Sequence, residues 1–181
     1  ESNGEPLIYN GRAYGTIRGD LFRIAEWYGW NGEENEGVSM LARDIGIGVM
    51  EREADFGLKG RVVPGPADNN IFDDDPSGET STAGEMGRVG CRWEHCDKSP
   101  GSRKQGWEQM RKLFKSCLES PREHPGLYIL ERCTQFKRTI PVLPRSDIDL
   151  DDVAKGSEDH IGDETRYMVR HRRRLITTGE F

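Results

Sequence analysis

The sequence predicts an α/β fold in which helices flank a mixed β-sheet, and three segments indicate this class. Residues 21–30 are rich in the aromatic and aliphatic side chains that favour strands, and residues 127–130 form a short apolar run of the same kind. Residues 102–119 instead repeat apolar side chains at the spacing of a helix. Because strands and helices alternate along the chain, we expect a sheet covered by helices.

The first elements are predicted from strand and helix patterns. Residues 21–30 are expected to form a central strand, with residues 7–17 as its antiparallel neighbour across a glycine-rich turn. Residues 37–54 predict a helix, which Gly46 and Gly48 weaken by about 1 kcal/mol each relative to alanine.

The middle of the chain is predicted to contain little regular structure. A short strand at residues 61–63 is expected to end at the segment Pro-Gly-Pro that follows, because proline cannot donate to a sheet. Residues 73–90 contain almost no large apolar side chain, and we predict a mobile surface loop there.

The second half of the chain is predicted to be mainly helical. Residues 102–119 form the clearest helix, with one apolar face: Trp107, Met110, Phe114, Cys117 and Leu118. Residues 133–140 predict a short helix that ends at Pro141. Ser157 is expected to cap a last helix that runs to about Arg174.

The composition is that of a charge-rich globular domain, with 34% hydrophobic and 32% charged residues among 181. No apolar run approaches the roughly 18–20 residues of a membrane span, so we expect no membrane association. The net charge of −6 argues against a wholly basic nucleic-acid-binding surface, although it allows a local basic face or a carboxylate cluster. The four cysteines lack the spacing of a zinc site and are expected to be free thiols in a reducing cytoplasm.

Carboxylates occur at two positions that suit a metal-dependent enzyme. Nuclease chemistry can depend on two divalent ions about 3.5–4 Å apart, which take oxygen ligands. Asp68 follows a predicted strand, and Asp159 and Asp163 lie four residues apart on the predicted last helix, with His160 between them. Each also has a structural interpretation, as a turn cap or as a partner of the helix dipole, and the residues alone leave both open.

Five segments together resemble the nuclease domains of tailed-phage large terminase subunits. They are FRIAEWYGW at 22–30, VPGPAD at 63–68, DKSPGSRKQGW at 97–107, TIPVLPR at 139–145 and EDHIGDETRY at 158–167. They follow the family's order over most of the chain, and the last segment is the most specific. The resemblance implies a ribonuclease H-like fold and an endonuclease that cuts concatemeric viral DNA, with two Mg²⁺ or Mn²⁺ ions in the complete site.

The resemblance also assigns roles by position. Asp68 and Asp163 match catalytic, metal-binding acids of the family, and His160 matches a neighbouring metal or water ligand. Asp159 matches less well and is expected to support the metal site. We therefore predict that the carboxylates of Asp68 and Asp163 lie within about 8 Å of each other, as two-metal chemistry requires.

One family residue has no match in the chain. The first catalytic aspartate of the family lies on an opening strand, and nothing before Leu7 supplies it. We therefore expect residues 1–181 to be a single nuclease domain that lacks this strand and the upstream ATPase domain, and to cut DNA only feebly by itself. We expect Glu26 at the surface or the edge of the core rather than in the catalytic position.

Basic residues suggest contacts with DNA phosphates, chiefly Lys98, Arg103 and Lys104. The arginines of residues 170–174 fit either phosphate contacts or the dipole of a helix end. The resemblance implies double-stranded DNA, an ATPase domain, a portal protein and a small terminase subunit as partners, in the host cytoplasm. Two alternatives stay open: a junction resolvase or integrase-like nuclease on the same fold, and a non-catalytic DNA-binding or docking module.

Overall fold

A computed structural model describes residues 3–9, 11–33, 35–73 and 80–171. The strands are β1 (Leu7–Tyr9), β2 (Arg12–Tyr14), β3 (Leu21–Arg23), β4 (Gly65–Ala67), β5 (Trp93–His95) and β6 (Leu127–Ile129). The helices are α1 (Ala42–Asp55), α2 (Thr82–Arg88), α3 (Ser102–Ser116), α4 (Thr134–Thr139) and α5 (His160–His171), with 3₁₀ turns at Asn69–Phe72 and Ile140–Val142. This mixture of helices and small sheets confirms the α/β class.

The chain divides into two compact units by its internal contacts. The described residues of the first unit lie in the ranges Glu1–Tyr28 and Pro100–Val169, and those of the second lie in Gly29–Ser99 and Arg170–Phe181. The single nuclease domain expected from the sequence stays a prediction. None of the helices in the described ranges is long and apolar enough to cross a membrane.

The strands pair two by two in the described part of the chain, so the prediction of one mixed sheet was wrong. Strands β1 and β2 form an antiparallel hairpin with each other, whereas β3 pairs in parallel with β6. Residues 7–17 therefore form a hairpin of their own and are not the antiparallel neighbour of residues 21–30 that was predicted. Only the first three residues of that predicted central strand form a strand.

The parallel register of β3 and β6 is fixed by the residues just before each strand. The carboxylate of Asp20 accepts a hydrogen bond from the backbone nitrogen of Gly126 at 2.7 Å. The backbone nitrogen of Leu21 donates to the carbonyl of Gly126 at 2.9 Å, which places Leu21 opposite Leu127. A buried acid thus joins two segments that lie about a hundred residues apart in sequence.

Strand β4 corrects the prediction at residues 61–63. The strand begins at Gly65, within the Pro-Gly-Pro segment where the predicted strand was to end, and includes Pro66. It pairs in parallel with β5, with Pro66 opposite Glu94. Alternate residues of a parallel strand direct their N–H groups to a given neighbour, so a proline can be accommodated where its nitrogen faces away from that neighbour.

Helix α2 corrects part of the predicted mobile loop at residues 73–90. Residues 82–88 are helical, and the hydroxyl of Ser81 caps the helix by accepting from the backbone nitrogen of Gly84 at 3.2 Å. Met86 is buried. Residues 74–79 lie outside the described residues.

The other helices agree more closely with their patterns. Helices α3 and α4 confirm the predictions at residues 102–119 and 133–140, although Leu118 is 87% exposed and does not belong to the apolar face. Helix α5 begins at His160. The hydroxyl of Ser157 donates to the carbonyl of Ala154 rather than capping the helix, and the predicted helix end at Arg174 lies outside the described residues.

The core of the first unit is built on α3. Its buried residues form one cluster with residues of β6 and α5: Trp107, Met110, Leu113, Leu127 and Val169. A second cluster contains Cys133, Phe136 and Ile161. Burial of each large side chain contributes about 1.5–3 kcal/mol. All four cysteines are free, as predicted, and three of them are buried.

Glu26 also has a structural role in this unit. Its side chain is 7% exposed and accepts hydrogen bonds from the backbone nitrogens of Gln135 and Phe136 at the start of α4. Because the first N–H groups of a helix lack intrahelical partners, a carboxylate stabilises them. The expectation of a core-edge position for Glu26 is confirmed.

Gly46 allows α1 to pack closely on α2, and we predict that Gly46→Ala destabilises the fold. A Cβ atom on Gly46 would lie 2.7 Å from Val89 Cγ2 and 3.1 Å from Met86 Cα, and a backbone atom cannot easily move. We expect a loss of about 1–3 kcal/mol from overpacking, which exceeds the gain in helix propensity.

Gly87→Ala is the matched control, because nothing lies within 4 Å of a Cβ atom added on Gly87 of α2. This variant should gain roughly 0.5–1 kcal/mol from alanine's helix propensity. The measurement is urea-induced unfolding followed by circular dichroism. Equal effects of the two substitutions would show that α1 and α2 do not pack as described.

Candidate functional site

Asp68 lies immediately after β4 and begins the 3₁₀ turn that follows. Its Oδ1 accepts a hydrogen bond from the backbone nitrogen of Asn70 at 3.1 Å, which is the capping role that its position allowed. Its Oδ2 accepts from Lys98 Nζ at 2.6 Å, and its side chain is 37% exposed. The carboxylate therefore caps a turn and also holds a cation near the surface.

The parallel pairing of β4 and β5 brings further polar residues to the end of these strands. Asn69 follows Asp68, and its Oδ1 lies 3.3 Å from Nδ1 of His95 at the end of β5. The His95 ring stacks on Phe72 with ring centroids 3.9 Å apart. Asn69 and His95 were not predicted as site residues, because only the pairing of the two strands brings them together.

Asp97 and Arg170 pair within the same second unit. A hydrogen bond from Arg170 holds the pKa of the Asp97 carboxyl well below its usual range. Of the arginines of residues 170–174, Arg170 therefore has a partner inside the protein. The other three lie outside the described residues.

Arg103 gathers three carboxylates in the first unit. Its Nη1 lies 3.0 and 3.1 Å from the two oxygens of Asp163, its Nη2 lies 2.8 Å from Asp159 Oδ2, and its Nε lies 2.7 Å from Asp152 Oδ1. Burial lowers the pKa of Arg103, but hydrogen bonds with Asp159 and Asp152 and the charge of Asp163 outweigh burial and raise it. Asp159 and Asp163, which were predicted as site residues, thus share the charge of Arg103 with Asp152. Asp152 was not predicted as a site residue.

Arg166 is a second guanidinium on Asp163. Its Nε and Nη2 donate to the two carboxylate oxygens at 2.7 and 3.0 Å, so that Asp163 is held from two sides. The Arg166 side chain is 3% exposed, and its guanidinium lies over the ring of Tyr167, 4.3 Å from the centroid. A Cβ atom on Gly106 of α3 would lie 2.9 Å from Arg166 Cβ. The sequence signal for this residue was its spacing, three residues after Asp163 on a helix.

His160 is the first residue of α5 and is exposed. It lies three residues before Asp163 in sequence, where its imidazole is accessible to solvent or to a ligand. The structure describes its position but assigns it no chemical role.

The three residues predicted to contact DNA all have acidic partners inside the protein. Lys98 contacts Asp68, Arg103 contacts the three carboxylates described above, and Lys104 forms an ion pair with Asp149. Lys98 and Lys104 keep 43% and 53% of their side chains exposed. Their charges are thus accessible to solvent but partly neutralised.

The carboxylates around Arg103 have the right chemistry for a hard divalent cation, since Mg²⁺ and Mn²⁺ prefer oxygen ligands. Within the described ranges, however, no three histidine, cysteine or acidic side chains lie close enough together to hold a metal ion. The reason is visible at Arg103, because its three nitrogens hold the carboxylates along different edges of a planar group.

Asp68 and Asp163 belong to different units, so the predicted distance between their carboxylates stays a prediction. Comparisons of the chain with known protein families, with characterised proteins and with solved structures find no match. Function is therefore inferred from the residues themselves and from the five segments between residues 22 and 167.

Proposed function

We propose that this chain is the nuclease domain of a tailed-phage large terminase subunit, with a ribonuclease H-like fold. In this proposal it is an endonuclease that cuts concatemeric double-stranded DNA during genome packaging and depends on Mg²⁺ or Mn²⁺. The resemblance of five segments, in order along the chain, supports the proposal. The segments that match the family's catalytic acids contain Asp68 after β4 and Asp163 on α5.

The observation that carries the proposal is the convergence of acidic side chains on one cation. Asp152, Asp159 and Asp163 all lie within hydrogen-bonding distance of the Arg103 guanidinium. Three like charges repel one another unless a positive charge lies among them, so this cluster has a strong requirement for a cation. Bound divalent ions would supply an activated water and would stabilise the leaving oxygen of a phosphodiester.

The residues of the chain have separate roles in this proposal. Arg166 fixes the orientation of Asp163 from its buried side, which keeps the two carboxylate oxygens in place. Asp159 would supply further oxygens near Asp163, and His160 is exposed three residues before Asp163 in sequence. Lys98 and Lys104 are about half exposed, and in this proposal they bind phosphates independently of base sequence.

A second candidate function has an observation in its favour. Each candidate metal-binding carboxylate is already paired with a basic side chain, as expected for a salt-bridge network that stabilises a non-catalytic DNA-binding or docking module. A junction resolvase or integrase-like nuclease would use the same acids as the proposed terminase nuclease. The substrate therefore separates the two nucleases, and metal binding separates both from the docking module.

The test is cleavage of linear duplex DNA and of four-way junctions, with Mn²⁺ or Mg²⁺ and with EDTA as the control. The chain should be tested alone and in the longest natural form that can be prepared, because one catalytic aspartate has no match here. We expect metal-dependent cutting of linear duplex by the longer form. Preferential cutting of junctions would indicate a resolvase, and the absence of both cleavage and site-like Mn²⁺ binding would indicate the docking module.

A further inference from the structure

Helix α3 begins without the capping side chain that two other helices have. Its N-cap residue is Gly101, which has a φ of 80° and no side chain that could accept a hydrogen bond. Ser81 caps α2, and Glu26 accepts hydrogen bonds from the backbone at the start of α4. In α3 the backbone nitrogen of Gln105 donates to the carbonyl of Gly101 at 3.0 Å, as the first intrahelical bond. The N–H groups before Gln105 have no such acceptor within the helix.

These N–H groups belong to Ser102, Arg103 and Lys104. None of them donates a hydrogen bond to any residue that the structure describes. Open N–H groups at the start of a helix point along its axis and, together with the helix dipole, attract an anion. The first turn of α3 contains no acidic residue that could supply this negative charge. The start of α3 is therefore suited to an oxyanion from outside the chain.

A buried hydroxyl group at the same helix end also indicates a ligand. Ser102 is 5% exposed, and its hydroxyl has no hydrogen-bond partner within the described ranges. Since the Cα–Cβ bonds of a helix tilt towards its N-terminus, the side chain of this first helical residue extends towards the open end of α3. A buried hydroxyl without a partner is costly, and an oxyanion that accepts its hydrogen bond would remove this cost.

Two comparisons within the chain show that this combination is specific to the start of α3. Ser116 is the other buried serine of the same helix, and its hydroxyl donates to the carbonyl of His124. Helix α1 also lacks a side-chain cap, but Asp44 in its first turn provides the negative charge that favours a helix start.

The charged side chains of this first turn determine how tightly an anion binds. Lys104 keeps 53% of its side chain exposed and can contact an anion, although it also pairs with Asp149. The carboxylates around Arg103 carry negative charges that repel an anion. We therefore expect free phosphate to bind weakly, and a polyanion that contacts further basic residues to bind more tightly.

We propose that residues 102–104 at the start of α3 form a phosphate-binding site, and that its ligand is a phosphate group of the DNA backbone. The assignment to DNA rests on the proposed function. The site consists of three backbone N–H groups and the Ser102 hydroxyl, which act in addition to the exposed Lys104. Contacts of this kind position a duplex without reading its base sequence.

The first test is a titration of the ¹⁵N-labelled chain with sodium phosphate, followed by NMR of the backbone amides. Sodium chloride at the same ionic strength is the control for salt. We expect the largest chemical-shift changes at residues 102–104. The amides of residues 43–44, at the uncapped start of α1, should be almost unchanged. No shifts at residues 102–104, or equal shifts at both helix starts, would overturn the proposal.

Ser102→Ala tests the role of the hydroxyl. We expect phosphate to bind this variant about tenfold more weakly, the effect of losing one hydrogen bond to a charged group. Ser116→Ala is the matched control and should bind phosphate like the wild type. Wild-type phosphate affinity of Ser102→Ala would exclude the hydroxyl from the site.

The stabilities of the same two variants provide a measurement that needs no ligand. In phosphate-free buffer Ser102→Ala should unfold at the same urea concentration as the wild type or higher, because its hydroxyl has no partner to lose. Ser116→Ala should unfold at a lower urea concentration, since it loses the hydrogen bond to His124. A clear loss of stability in Ser102→Ala would show that the hydroxyl has a partner within the protein and would contradict the proposal.

A short DNA duplex distinguishes the sources of the phosphate. In the absence of divalent ions, the duplex should shift the amides of residues 102–104 at lower concentrations than inorganic phosphate does. Shifts with inorganic phosphate but not with the duplex would overturn the assignment to the DNA backbone. A chain that binds the duplex through residues 102–104 but cuts no DNA in any form would retain this inference and reject the nuclease proposal.

Discussion

Asp163→Asn is expected to reduce metal-dependent cleavage of duplex DNA by about a thousandfold. Metal-ion catalysis contributes several kcal/mol to transition-state stabilisation, and about 4 kcal/mol corresponds to a thousandfold in rate. Asparagine keeps the size of the side chain but removes the negative charge that a metal ion requires. DNA binding should be almost unchanged, because the proposed phosphate contacts are made by lysines, Lys98 and Lys104, and not by Asp163.

The substitution also affects the buried Arg166, and a control must separate this effect from chemistry. Loss of the Asp163 charge leaves the Arg166 guanidinium uncompensated at 3% exposure, which costs about 3–5 kcal/mol when a buried pair is broken. The double variant Asp163→Asn with Arg166→Gln removes that buried charge and should recover much of the lost stability. It should not recover cleavage.

Lys104→Ala is the opposite control. Lys104 is half exposed, and its removal should weaken DNA binding and reduce the salt dependence of binding by roughly one phosphate contact. Cleavage at saturating DNA should be nearly normal. If a folded Asp163→Asn protein cut DNA as fast as the wild type, the role of α5 in catalysis would be excluded.

Asp20→Asn is expected to destabilise the fold by about 3–5 kcal/mol, the usual cost of breaking a buried ion pair. Asp20 is completely buried. Its carboxylate accepts hydrogen bonds from Arg122 at 2.5 and 2.7 Å and from the backbone nitrogens of Ile17 and Gly126, each at 2.7 Å. An asparagine offers one acceptor oxygen and turns an NH₂ group towards donors. Since Gly126 precedes β6, the pairing of β3 with β6 should also become weaker.

The effect of Asp20→Asn should depend on pH. Burial raises the pKa of Asp20, but hydrogen bonds from Arg122, Ile17 and Gly126 outweigh burial and lower it below its ordinary value. A carboxyl whose pKa is lower in the folded state stabilises the protein above the unfolded-state pKa, near 3.9, and this contribution is lost as the pH falls through the folded-state pKa. The difference in unfolding free energy between wild type and variant should therefore be largest near pH 7 and shrink towards pH 2.

Urea unfolding at several pH values provides the measurement for Asp20. Glu108→Gln is the control, because Glu108 forms an exposed ion pair with Lys112 on α3 and should matter little to stability. Equal and small losses in the two variants would show that the Asp20 network does not hold the two strands together.

Helices and strands with a clear local pattern of apolar residues could be predicted from the sequence. The apolar spacing of residues 102–119 predicted α3, and the apolar run at 127–130 predicted β6. Helix α2 was missed because its capping residue Ser81 lies in a polar segment with one buried apolar side chain, Met86. Short helices in such segments carry too little periodicity to be recognised.

Strand pairing and charge pairing could not be predicted in the same way. The parallel partner of β3 lies about a hundred residues away, and a buried carboxylate rather than a turn sets the register. Arg103 was selected as a candidate phosphate contact from its basic segment, but its sequence position gives no sign that Asp152, Asp159 and Asp163 surround it. Long-range electrostatic partners depend on the folded backbone, and local patterns do not contain them.

The close approach of Gly106 to Arg166 has an evolutionary consequence. A Cβ atom at position 106 would lie 2.9 Å from Cβ and 3.4 Å from Cγ and Cδ of Arg166, so the two residues cannot change independently. In related sequences we expect a larger residue at position 106 to coincide with a shorter, uncharged residue at 166. Because Arg166 neutralises Asp163, such a paired change should also remove the acid at 163. The presence of glycine at position 106 would then indicate which relatives retain the acid at position 163.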